Sequence, residues 1–169
     1  MYFKLIAIFL ISILNITYVS ANQFQNTTPK SISNFETIYS NTDTGLDLQI
    51  IGNSLIKNKT LSKNSLQPLN VSTKIIKAFL LWSGETKNIS DGKKITFIAA
   101  NKKQYKLTAD NYFYKEAAGY IYTAIADVTR KVKNNGLYGV TDFASEVLLT
   151  NTYPPYSVAG WSLIVITKN

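Results

Sequence analysis

The sequence predicts an all-β protein, an antiparallel β-sandwich of jelly-roll type with one short helix near residues 129–135. Three observations carry this. Residues 75–84 and 158–166 are apolar at almost every position on both alternating faces, the signature of strands from the middle of a sheet. Short alternating segments punctuated by turn residues fill much of the rest. One stretch alone, residues 127–136, carries helix start and stop signals.

Composition bounds the chemistry. Met1-Tyr-Phe-Lys4 is a basic start, residues 5–14 an apolar run short for a bilayer, and Val19-Ser20-Ala21 a small-residue cleavage site, so residues 1–21 are expected to be a cleavable export signal. No second apolar span follows, and an extracytoplasmic location is expected: secreted, periplasmic or at the cell surface. The chain has no cysteine and no histidine. Disulfides are therefore absent, and Ser-His-Asp, Cys-His and the common zinc chemistries cannot be built from it. The net charge of +8, less one if Lys4 leaves with the leader, suits anionic surfaces. It follows equally from a Lys-, Asn- and Ile-rich composition, and the basic residues form no run, so no nucleic-acid partner is expected.

Residues 22–44 are polar and aperiodic, a linker or N-terminal arm, and residues 45–169 form the sandwich domain. Leu46, Leu48 and Ile50 alternate with Asp47 and Gln49 as a half-buried strand stopping at Gly52-Asn53. Residues 57–72, broken by Pro68, read as a long connection. Asp91-Gly92 predicts a tight hairpin turn after the central strand, leading into residues 94–100. A further turn at Asn101-Lys-Lys leads to an edge-like strand at 105–109. Tyr112-Phe-Tyr114 and residues 120–126 are aromatic, β-branched segments bracketing a loop. Thr129 or Asp127 can cap the short helix, with Gly136 closing it. Residues 138–143 make another strand, and 144–156, with Pro154-Pro155, a loop before the last strand.

Candidate sites are few. Asn41, Asp43, Gly45 and Asp47 have a spacing reminiscent of calcium loops, but Ser54 stands near where a bidentate acid is needed, so Asp43 and Asp47 are weak calcium candidates and a turn is the simpler reading. Ser54-Leu-Ile-Lys57 matches an acyl-enzyme pattern without its third motif or a helix, and is read as chance. No cofactor is expected. Trp82 and Trp161 belong to the core by strand alternation. Of the eleven tyrosines, Tyr112, Tyr114, Tyr120, Tyr153 and Tyr156 lie in or beside loops and are the candidate binding surface, because exposed aromatic rings stack on sugars and anchor protein contacts.

Four segments in order, residues 50–55 (with Gly52 and Asn53), 77–84 (Trp82, Gly84), 122–129 (Asp127, Thr129) and 159–166 (Gly160, Trp161, Ser162), resemble the N-terminal β-rich module of large bacterial surface and adhesin-like proteins. That module carries Gly-Asn-Thr-Leu, Ala-Tyr-Leu-Tyr-Trp-Ser-Gly, Ala-Asp-Val-Thr and Ala-Gly-Trp-Ser-Leu-Val-Val-Val segments. The resemblance implies an exported, non-enzymatic interaction module with a protein or glycan partner, and no catalytic residue. Such proteins run on past the last segment, whereas this sequence closes at Asn169. The expectation is either a truncated relative or a sandwich completed by something else, with an unpaired edge on the C-terminal strand open to self-association or strand addition. Two alternatives compete with it: a secreted carbohydrate-active enzyme built on paired carboxylates, and a truncated product with no function of its own.

Overall fold

The structure, a computed structural model, describes residues 39–57, 60–61, 64–116, 120–145 and 159–169. The expected leader and most of the arm lie outside the described residues. The chain divides into residues 1–42 and residues 43–169, and all the strands described belong to the second unit. They are β1 (Leu46–Ser54), β2 (Ile56–Lys57), β3 (Thr60–Leu61), β4 (Asn64–Leu69), β5 (Lys74–Thr86), β6 (Lys94–Ile98), β7 (Gln104–Thr108), β8 (Asn111–Glu116), β9 (Tyr120–Asp127), β10 (Gly136–Thr141) and β11 (Ala159–Lys168).

Five strands form one sheet in the order β1-β11-β5-β9-β8, four form a second in the order β4-β10-β6-β7, and β2-β3 is a small separate ladder. The pairs nest: β1 with β11, β4 with β10, β5 with β9 and β6 with β7, all antiparallel. First pairs with last and inward to the middle, alternating between sheets, as when a long hairpin is rolled up. That is the jelly roll. Strand β8 is left over, an addition at the β9 edge.

The two tryptophan-bearing strands lie side by side, with Trp82 and Trp161 directly opposite each other. Their inward row continues as Leu80 opposite Leu163 and Ala78 opposite Val165, all essentially buried. Phe97 and Tyr138 from the second sheet, stacked with ring centroids 6.0 Å apart, belong to the same buried cluster. A chain without disulfides is held by this single apolar layer between two sheets.

Several expectations are corrected. The C-terminal strand has no free edge, because β1 and β5 flank it, so strand addition through it is closed. The half-buried strand β1 forms, but its apolar row points away from the core: Leu48 and Ile50 are 56% and 59% exposed, while Ile51 packs against the core. Alternation fixes which residues share a face, not which face is covered. The connection 57–72 contains β4, and Pro68 is tolerated because β4 is an edge strand whose outer side needs no amide. Asp91-Gly92 is not a hairpin but a single 3-10 turn, Asp91–Lys93, carrying the chain from one sheet to the other. The short helix shrinks to one 3-10 turn, Thr129–Lys131, because the Thr129 hydroxyl is taken by the sheet, accepting the Ala78 amide at 3.0 Å. Gly136, with φ of +149°, opens β10 instead of closing a helix.

Candidate functional site

The tyrosine positions converge where β8 extends the larger sheet. The four nested pairs leave β8 without a counterpart in the smaller sheet, and its burial fades along its length. On β8, Tyr112 and Tyr114 are two residues apart and share a face. Tyr112 stands opposite Ala124, Tyr114 opposite Tyr122, and Glu116 opposite Tyr120. A ladder of rings results. Tyr122, buried in the core, lies 5.6 Å from Tyr112; Tyr112 lies 6.1 Å from Tyr114; and Tyr114 meets Tyr120 edge-on at 6.1 Å and 74°. Such offset and edge-on spacings are favourable for aromatic pairs. The ladder runs from full burial at Tyr122 to 53% exposure at Tyr114.

Its inner end is fixed by hydrogen bonds to loop backbone. The Tyr112 hydroxyl donates to the Ile89 carbonyl at 2.7 Å, that of Tyr122 to the Ala144 carbonyl at 2.7 Å, and the Trp82 indole to the Gly92 carbonyl at 2.8 Å. Burial pushes the Tyr122 phenol far up, with Tyr112 adding to it, and burial followed by the Asp91 and Tyr114 charges raises Tyr112. Both therefore remain neutral donors at ordinary pH. Gly92 is the middle residue of the turn, where a Cβ would stand 2.7 Å from the Tyr112 hydroxyl and the Tyr122 ring. The turn also delivers Lys93, whose Nζ lies 5.4 Å from the centre of the Tyr112 ring.

Of the five candidate tyrosines, Tyr112, Tyr114 and Tyr120 are brought together, and Tyr153 and Tyr156 lie outside the described residues. The sequence contained no signal for Lys93, which reaches the rings only through the crossing between sheets. The outer end of the ladder presents a ring face and edge and a phenol, with the Lys93 ammonium further in beside Tyr112, groups that bind the C–H face and hydroxyls of a sugar or an aromatic side chain.

The other marked residues lie in the larger sheet and the turn that follows β9. The four segments that carry the adhesin-like resemblance become β1, β5, β9 and β11, contiguous in one sheet. Gly52 is crossed so closely by the Trp161 carbonyl that a Cβ could not be accommodated. Asn53 stands opposite Trp161, Gly160 opposite Ser54 and Ser83, Ser162 opposite Gly52, and Gly84 opposite both Tyr122 and Ala159. Asp127 and Thr129 form a clasp. The Thr129 hydroxyl and amide donate to Asp127 at 2.6 and 2.8 Å, and Lys77 donates to its other oxygen at 2.7 Å. Partial burial would raise the Asp127 carboxyl, but these donors and the Lys77 charge outweigh it and hold it at about 2.

Asp43 is bound by Lys168 at 2.8 Å, and Asp47 accepts from the Leu48 amide at 2.9 Å. Among the described residues no three acidic side chains gather as a metal site, and the chain bends at residues 44–45 into β1, with Gly45 at φ +74°. Glu85, 5% exposed, is the one buried carboxylate among the described residues. Its Oε2 has no partner there, and burial raises its pKa. No protein family, curated protein or solved structure matches the chain.

Proposed function

We propose that this chain is an exported, non-enzymatic module of adhesin-like type that binds glycan at a bacterial cell surface through the tyrosine ladder of the β8–β9 hairpin. The observation that carries the reading is the graded ladder itself. Tyr122 and Tyr112 are pinned to backbone carbonyls, so Tyr114 and Tyr120 rest on a rigid base and lose little freedom on binding. Lys93 adds a cation that favours acidic sugars. The signal-like residues 1–21 and the ordered segments shared with bacterial surface modules support export and an adhesive role.

The test is a glycan array read with the purified chain, followed by titration of any hit against Tyr114→Ala and Tyr120→Ala. Loss of about tenfold or more in affinity with unchanged thermal unfolding is expected, since a stacked ring contributes over ~1 kcal/mol. An array without hits, or a hit insensitive to both substitutions, would remove the glycan reading.

A further inference from the structure

Residues 99–103, the turn between β6 and β7, and residues 129–135 are far apart in sequence, and the fold brings them to one end of the smaller sheet. Gly136, which opens β10, lies so close to that turn that a Cβ on it would stand 2.7 Å from the Ala100 Cβ. Between them the two segments carry Lys102, Lys103, Arg130, Lys131 and Lys133, all exposed except the half-buried Lys131. Arg130 is the only arginine of the chain. Basic residues that form no run in the sequence are thus gathered by topology.

Tyr105 is the centre of the group. The Lys103 Nζ lies 5.2 Å from the centre of its ring and the Lys131 Nζ 5.7 Å from it, so the two ammonium groups stand within about 11 Å of each other. Like charges drawn to one ring repel, and an anion bound between them relieves the repulsion. No carboxylate of the chain does so. The ion pairs among the described residues are Lys77 with Asp127 and Lys168 with Asp43, and none of the five cations enters one. Of the acids in neighbouring segments, Asp127 is held by Lys77 and Thr129, and Asp110 accepts the Asp127 amide at 2.7 Å.

The backbone that carries these charges is fixed. Val128 and Val132 are buried on either side of the 3-10 turn. The Tyr138 hydroxyl accepts from the Lys133 and Asn134 amides at 3.3 and 3.4 Å and donates to the Asn134 carbonyl at 2.6 Å. In the other segment the Ala99 amide donates to the Lys103 carbonyl at 3.0 Å and the Lys102 amide to the Ala99 carbonyl at 2.8 Å. Lys102 sits there at φ +64°, in the left-handed region that suits glycine better than a residue with a Cβ.

We infer that this basic end is a second binding surface, for acidic polysaccharide, with one carboxylate or sulfate group of the sugar chain held between the Lys103 and Lys131 ammonium groups. Arg130 presents a planar fork to a neighbouring anionic group, and Lys102 and Lys133 extend the field along the chain. A polymer with repeated charges matches cations spread over two segments. Nucleic acid matches them less well, because Tyr105 is the only ring in residues 99–106 and 128–135 and already carries two ammonium groups, leaving no platform for stacked bases. The surface is separate from the tyrosine ladder. Lys94 stands opposite Thr108, and three residues of β7, roughly 10 Å, separate that level from Tyr105. The inference does not depend on the ligand assigned to the ladder.

The test is binding of the purified full-length chain to immobilised polygalacturonate and dextran sulfate at physiological salt, with neutral dextran as control. Binding to at least one charged polymer and not to dextran is expected, weakening as salt is raised; which polymer is preferred distinguishes carboxylate from sulfate. Lys103→Gln and Lys131→Gln should each weaken it about fivefold and together by tenfold or more. Lys102→Gly should weaken it with thermal unfolding unchanged or raised, since glycine suits that turn. Absence of binding to both polymers, indifference to both lysine substitutions, or tighter binding to duplex DNA or phosphatidylglycerol vesicles would each overturn the inference. Tyr114→Ala keeps this failure distinct from failure of the ladder: it should leave polymer binding in place, and loss of binding in that variant would move the site to the ladder and overturn the inference as well.

Discussion

The two faces of β5 differ far more in surroundings than in residue type. Ala78, Leu80 and Trp82 point inward and are 0%, 0% and 1% exposed, whereas Phe79 and Leu81, equally apolar, are only half-buried on the outer side. The same contrast runs along β11, where Leu163 and Val165 are buried and Ile164 and Ile166 are not. A strand apolar on both faces is central in its sheet; it does not follow that both faces are covered to the same degree.

Substitutions at matched positions can break this contrast. Leu163→Ala, inward, should cost about 2–5 kcal/mol through lost burial and a cavity, whereas Ile50→Ala, outward and 59% exposed, should cost within ~0.5 kcal/mol. Urea unfolding reads both, and similar losses would mean that the outer face is covered as the inner one is. Next in size, Gly92→Ala should cost about 1–3 kcal/mol, because a methyl group there overpacks Tyr112 and Tyr122. It should also perturb the near-ultraviolet signal of the tyrosines, and a neutral outcome would place the ladder elsewhere.

Smaller effects concern the two unlike carboxylates of the larger sheet. Glu85 has its pKa raised by burial, so the unfolded chain ionises first as pH rises, and native stability falls as pH climbs from the ordinary glutamate value of 4.5 through the raised native one. Glu85→Gln should therefore gain about 1 kcal/mol at neutral pH and nothing in acid. Asp127 behaves in the opposite sense. Its lowered pKa gives stability that is complete above its ordinary value of 3.8 and disappears as pH falls through about 2. Its side chain is 41% exposed, so the ion pair with Lys77 is screened and the Thr129 donors matter more. Asp127→Asn should lower neutral-pH stability by well under ~1 kcal/mol and flatten that acid limb; an unchanged limb would show that the clasp is not formed.

Most of the architecture was legible because the signals were local. Period-two alternation and turn pairs gave β6, β7, β8 and β9, and two all-apolar runs gave β5 and β11. What was hidden depends on partners remote in sequence. The leucines of β4 could not announce an edge strand around Pro68 until β10 lay beside it, and Leu48 and Ile50 could not show which way they faced. The Thr129 hydroxyl looked like a helix cap, but the Ala78 amide, fifty-one residues away, used it first. Of the site, alternation placed Tyr112 and Tyr114 on one face of a strand, whereas Lys93 and the supporting Gly92 arrive by topology alone.

Because Trp82 and Trp161 are the only tryptophans and face each other in the same buried row, their fluorescence reports the centre of the fold and nothing else. The native chain should emit at short wavelength and resist quenching by iodide, with both properties lost together in one cooperative urea transition. Emission typical of water-exposed indole in the native chain, or free access of iodide to either ring, would contradict the closed inner face on which the jelly roll rests.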